Sequence, residues 1–226
     1  MAIWLTLCGA IVVIAYLLGS FPTGYIAVKQ LKGIDIREVG SGSTGATNVL
    51  RTLGKGPGAF VLVLDSLKGV LAIALVYWLF SFEPIQNYIP PTVDAKLWQP
   101  WLATLAGLAA ILGHSKSIFL GFSGGKSVAI SLGILLAMSW QVGLATAGVF
   151  GVVVAISRIV SLSSISGAIA VPIFMVLLHQ PLPYILFGIV GSLYVIFRHR
   201  SNIERLLAGT ESKIGQNLTT EPEQTT

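Results

Sequence analysis

Residues 128 to 157 run for thirty positions without one charged side chain. A helix needs about 20 mainly apolar residues to cross a bilayer core roughly 30 Å thick, so this stretch is long for one span and short for two. Similar uncharged runs occupy about 3–21, 100–112, 159–178 and 184–197, with 58–80 broken only by Asp65 and Lys68. Such runs are compatible with a membrane and little else. Hydrophobic residues make up 54% of the 226 and charged ones 10%, far from soluble norms.

Charge placement settles how the long run is divided. Positive residues favour cytoplasmic loops. Segment 22–57 holds Lys29, Lys32, Arg37, Arg51 and Lys55, and the C-terminal segment holds Arg198, Arg200, Arg205 and Lys213. Both belong inside, which leaves the N-terminus outside and requires an odd number of spans. A break near "SWQVG" (139–143) divides the run into 128–139 and 143–157 and gives seven. The chain thus reads as an all-α integral membrane protein of seven transmembrane helices, several of them short. Residues 1–214 form one polytopic domain, and 215–226 a polar, disordered tail.

This topology collects four polar stretches on one face. The first, "GSGSTGATNVLR" (40–51), combines glycines that free backbone amides, hydroxyls and one guanidinium, a set suited to phosphate. A short helix opening within 44–52 would add its N-terminal amides. The bland alternative is a flexible loop with a snorkelling arginine. The second, "GHSKSIFLGFSGGKS" (113–127), falls short of a P-loop, because only three residues separate Gly121 from Gly125 and no strand precedes them. Gly124, Gly125 and Lys126 still offer amides and an ammonium before an apolar helix. The third, "SRIVSLSSISG" (157–167), suits either phosphate contacts or hydrogen bonding between helices. The fourth, "RHRSNIERLLAGTESKI" (198–214), is either a basic helix on anionic lipid or a site in which His199 and Asn202, one turn apart, face one ligand.

Asp65 and Lys68 stand at i, i+3 inside a span, and an ion pair between them would brace the nearby loop. A His–Asp charge relay with four intervening residues is absent, since Phe119 occupies the position counted from His114. His114 therefore reads as a structural residue at a helix end. Cys8 is the only cysteine, which excludes an internal disulfide, and no residue grouping calls for a metal or cofactor. The 14 basic residues against 9 acidic ones lie in short segments between spans rather than in one stripe, so nucleic acid is an improbable partner and membrane lipid the natural one.

Three of these motifs, in this order, resemble the PlsY-type glycerol-3-phosphate acyltransferases: "SGSTGATNVLRTLGKGPG", "GHSKSIFLGFSGGKSVA" and "RHRSNIERLLAGTE". The similarity spans about residues 3–214. It implies a bacterial inner-membrane enzyme with its site facing the cytoplasm. The reaction would transfer a fatty acyl group from acyl-phosphate to glycerol 3-phosphate, giving lysophosphatidate and phosphate, the first acylation of phospholipid synthesis. By matching positions, Ser41, Arg51, Lys126, His199 and Asn202 would be catalytic. Gly42, Gly45, Thr47, Asn48, Gly124, Gly125, Ser161 and Ser164 would bind substrate phosphate, and Glu211 would join Asp65 and Lys68 in structural support. Ser43 stands where the family usually has Asn, and Ser127 where it has Gly. Arg51, Lys126 and His199 would neutralise the two anions, and the base is either a substrate phosphate oxygen or His199. A phosphate or organophosphate transporter is the alternative function.

Overall fold

The computed structural model describes residues 1–215 and, among them, is helical throughout. The tail expected to be disordered lies outside the described residues, Gly215 apart. Helix α1 (Ala2–Ser20) is followed by α2 (Thr23–Lys32) and, after a loop, the short α3 (Ala46–Leu53). The long α4 (Lys55–Ser81), one-turn α5 (Glu83–Gln86) and α6 (Ala95–Ser115) come next. Then α7 (Val128–Met138), α8 (Trp140–Ser157), α9 (Val160–Leu177), α10 (Leu182–Arg198) and α11 (Arg200–Leu207) complete the described residues.

Among the described residues four helical segments are long and apolar enough to cross a membrane, and five if the α10–α11 pair, bent by 61°, counts as one span. The uncharged run 128–157 is indeed two helices. The break falls at Ser139, whose backbone is extended (φ −155°, ψ 100°), and its amide still bonds Leu135 while its carbonyl takes the Gly143 amide. At Gly143, α8 lies so close to the Leu136 side chain of α7 that a Cβ would overlap it. The "HQPLP" break lies where expected, between α9 and α10. The 100–112 span is longer than its uncharged core: the Asp94 side chain caps the Lys96 amide at 2.9 Å, starting α6 at Ala95 with Pro100 inside it.

Between apolar helices in lipid there is little hydrophobic driving force, so close packing and interhelical hydrogen bonds hold the bundle. Both are visible. A Cβ on Gly19 of α1 would overlap the Ala110 carbonyl of α6, and one on Gly133 of α7 the Ser66 carbonyl of α4. The core between them is filled by Trp4, Ile73, Leu79, Ile111, Ile130, Ile134 and Met175, with Trp4 edge-on to Phe80 at 5.2 Å. Tyr77 and Tyr184 share a hydrogen bond of 2.9 Å, and Thr104 donates to the Pro183 carbonyl at 2.9 Å. Large side chains such as Val63, Leu105, Val152, Ile173 and Leu193 point outward, as a lipid-facing surface requires.

Candidate active site

The loop between α2 and α3 is built around one amide side chain. Asn48 is buried, and its Oδ1 accepts the Ser41 amide at 3.1 Å. Its Nδ2 faces the carbonyls of Ile36, Val39 and Ser43 at 3.2, 3.0 and 2.9 Å. Gly40, at φ +58°, packs on Asn48 Oδ1 so closely that a Cβ could not fit. The loop is thereby wound into a fixed shape that presents Ser41, Thr47 and Arg51 to one cavity.

That cavity, of about 110 Å³, is lined mainly by polar side chains and gathers all four of the polar stretches. Ser41, Gly45, Thr47, Asn48 and Arg51 come from the first, Lys126 from the second, Ser161 and Ser164 from α9, and His199, Asn202 and Glu211 from the C-terminal segment. Asp65 reaches it from α4. Lys126 donates to Asn202 Oδ1 at 2.5 Å, Asn202 donates to Glu211 Oε1 at 2.6 Å, and Ser161 donates to the same oxygen at 2.8 Å. Arg205 closes the network on Glu211 Oε2 at 2.6 Å. Glu211 is thus the hub that holds Asn202 and, through it, Lys126.

Electrostatics follow from this packing. Burial, with the Arg205 charge nearby, pulls the Lys126 ammonium down to about 8, against the counter-pull of Glu211. Burial alone would raise the Glu211 carboxyl, but hydrogen bonds from Asn202, Ser161 and Arg205 leave it lowered. His199 is brought down to about 4 by burial, opposed by its bond to Val195 and helped by the Lys126 charge. Its Nδ1 donates to the Val195 carbonyl at 2.8 Å, which leaves Nε2 with a free lone pair. His199 is therefore neutral at pH 7, an acceptor rather than the third cation expected from the sequence.

Other placements differ from expectation too. Gly42, Gly124, Gly125 and Lys68 are not in the cavity wall. The Gly125 amide is already bonded to the His114 carbonyl at 3.1 Å, and a Cβ on Gly125 would overlap His114 Nε2. Gly124 and Gly125 allow the Lys126 turn to lie against the end of α6. Asn48 spends its amide on the loop, so it shapes the site from the wall. Lys68 sits behind Asp65, pairing with it at 2.7 Å as the i, i+3 spacing implied.

Arg198 is the residue sequence reasoning missed, while His114 stands at the end of α6 as expected. Arg198 donates to the Gly125 carbonyl at 3.1 Å, so a cation that looked like a topology signal clamps the Lys126 turn. His114 Nδ1 lies 3.9 Å from Asp65 Oδ1, outside hydrogen-bond distance, and both stand in the cavity wall. No spacing rule could pair them, because they come from different helices. Ser127 has φ +63°, a left-handed backbone that favours glycine, and its hydroxyl compensates by bonding the Ile111 carbonyl at 2.9 Å.

A second, apolar cavity of about 210 Å³ runs between α7, α8, α9 and α10. It shares Leu62, Val128, Ala129, Phe150 and Ser164 with the polar one, so the two are contiguous.

Comparison with known proteins gives concordant results. A family model described as glycerol-3-phosphate acyltransferase matches residues 9–209. The chain is 84% identical over 224 residues to the glycerol-3-phosphate acyltransferase of Trichormus variabilis, covering 99% of both chains. It is 57% identical over 216 residues to that of Acaryochloris marina, covering 96% of each. Its fold is similar to a crystal structure of PlsY, an integral membrane glycerol 3-phosphate acyltransferase in its glycerol 3-phosphate form. That likeness has a TM-score of 0.80 at 38% identity and covers 92% of this chain and 96% of the other.

Proposed function

The chain belongs to the glycerol-3-phosphate acyltransferase family, and from that premise we propose that it moves a fatty acyl group from acyl-phosphate to glycerol 3-phosphate, giving 1-acylglycerol 3-phosphate and phosphate. The observation that carries this reading is the junction of a polar cavity, with Arg51 and Lys126 in its wall, and an apolar one. An acyl-phosphate has those two ends, and the acceptor is a second small anion. The transporter alternative loses its support to the family match over residues 9–209.

Acyl-phosphate is a mixed anhydride and is already activated, so no covalent enzyme intermediate is needed. The acceptor's C1 hydroxyl attacks the acyl carbon, the bond from that carbon to the bridging oxygen breaks, and phosphate departs with the electron pair. The hydroxyl proton finishes on the released phosphate, directly or by way of His199 Nε2. In this reading Arg51 and Lys126 offset the repulsion between two anions, and the hydroxyls of Ser41, Thr47, Ser161 and Ser164 complete the phosphate contacts. Three charge-assisted hydrogen bonds at about 1.5–3 kcal/mol each cover the ~4 kcal/mol that millimolar binding requires. Fixed orientation then supplies much of the rate. With the His199 imidazole near 4, a substrate phosphate oxygen is the better base. His199→Gln with near-normal turnover would remove His199 from the proton's route, whereas a loss of several thousandfold would put it there.

The proposal extends to topology. One domain over 1–214 crosses a bacterial inner membrane seven times, N-terminus outside, through α1, α4, α6, α7, α8, α9 and α10. Helix α7 has 11 residues, about 16 Å of rise, so its start lies below the membrane surface and the cytoplasm-facing site is sunk toward the acyl chains. Purified protein given glycerol 3-phosphate with acyl-phosphate, acyl-CoA or acyl carrier protein tests the donor. Phosphate release and lysophosphatidate from acyl-phosphate alone is the expected result; turnover only with the thioesters would refute it.

A further inference from the structure

Asp65 is 1% exposed, and its two carboxylate oxygens have different surroundings. Oδ1 accepts from Lys68 Nζ at 2.7 Å and from Thr23 Oγ1 at 2.5 Å. Oδ2 is equally buried and accepts from no donor among the described residues. An ionised carboxylate offers about four lone-pair sites, and leaving an oxygen unmatched in the interior is costly enough to demand an explanation.

The surroundings of Asp65 supply one. It stands in the wall of the polar cavity with Arg51 and Lys126, yet has no part in the wall of the apolar one. Lys68 pairs with it at 2.7 Å and balances its charge, so a carboxylate in that wall does not repel a phosphate held by the cations. Resting on the acylation reading above, we propose that Asp65 recognises the C2 hydroxyl of glycerol 3-phosphate, with Oδ2 as the acceptor. The acceptor's phosphate goes to Arg51 and Lys126. Its C1 hydroxyl must face the junction with the apolar cavity, where the acyl carbon lies. The remaining hydroxyl is left for the wall that carries Asp65. Three distinct contacts around one tetrahedral carbon also select its hand, so Asp65 makes the site read the configuration of the acceptor.

The test compares kcat/KM for sn-glycerol 3-phosphate, its enantiomer and 1,3-propanediol monophosphate, which lacks only the C2 hydroxyl. The wild-type protein should use the deoxy compound roughly a hundredfold less efficiently or worse, since a site built to bond a hydroxyl rejects the analogue without it. Asp65→Asn should shrink that ratio by about tenfold, the loss falling on glycerol 3-phosphate. Equal use of the deoxy compound by the wild-type protein overturns the inference and needs no variant that must fold. It is also the outcome if water in the adjoining recess beside Ser20 and Thr44 serves Oδ2. Equal losses on both acceptors in Asp65→Asn likewise overturn it, since a purely structural role predicts that pattern. Turnover of neither acceptor by the wild-type protein sinks the acylation reading, and this inference with it.

Discussion

Raising the pH should disable phosphate binding through Lys126 before it affects any other cation of the site. With its ammonium near 8, Lys126 is charged below that value and neutral above it. The binding it provides is therefore present at pH 7 and lost as pH climbs through 8. The charged fraction falls from about nine-tenths at pH 7 to about one-tenth at pH 9. The second phosphate ionisation lies near 6, so the substrate is already a dianion across this window. If only the ammonium form binds, kcat/KM for glycerol 3-phosphate drops about tenfold between pH 7 and 9, with a midpoint near 8. A bound phosphate raises the ammonium again, so kcat should stay level to a higher pH. Initial rates of phosphate release over pH 6.5–9.5 at several acceptor concentrations make the measurement. Lys126→Arg carries the internal control, because a guanidinium stays charged and its residual activity should lack the limb. A flat kcat/KM in the wild-type protein, or the same limb in Lys126→Arg, would show that Lys126 is not the titrating contact.

Three further outcomes follow from the packing. Glu211→Gln keeps the shape of the hub but gives up its charge-assisted bond from Arg205, worth about 1.5–3 kcal/mol; kcat/KM should fall roughly ten- to a hundredfold, with the rise in KM for glycerol 3-phosphate carrying most of it. Gly125→Ala forces a Cβ onto His114 Nε2 and should cut turnover by about tenfold or more by displacing Lys126, whereas Gly56→Ala, with nothing within 4 Å, should leave activity unchanged. Gly191 borders the apolar cavity, and a Cβ there meets only ordinary contacts at 3.6 and 3.9 Å. Gly191→Leu should thus fold and shift preference toward shorter acyl-phosphates, measured by competition between chain lengths; an unchanged preference would mean the chain lies elsewhere.

Much was legible because bilayer physics writes itself along the chain. An apolar helix in lipid needs no partner to declare it, so the uncharged runs gave the helices, the prolines of "HQPLP" gave one break, and the charge at the two ends gave the one near 139–143. Cations between the runs pointed to the stretches that meet at the cavity, and the i, i+3 spacing of Asp65 and Lys68 announced their pair. The roles within those stretches were another matter. Asn48 and Gly125 occur in motifs that look made for phosphate, and their hydrogen bonds go instead to the loop and to α6.

The sequence by itself determined an all-helical membrane chain with its polar turns grouped, because hydropathy and charge are properties of short segments. Only the tertiary structure decided that Glu211 holds Lys126 through Asn202, that His199 is neutral, and that His114 and Arg198 support one turn. Those assignments depend on atoms from different helices lying a few ångströms apart, in a buried setting where each hydrogen bond sets the charge and direction of its neighbour. Spacing along a chain carries no record of that.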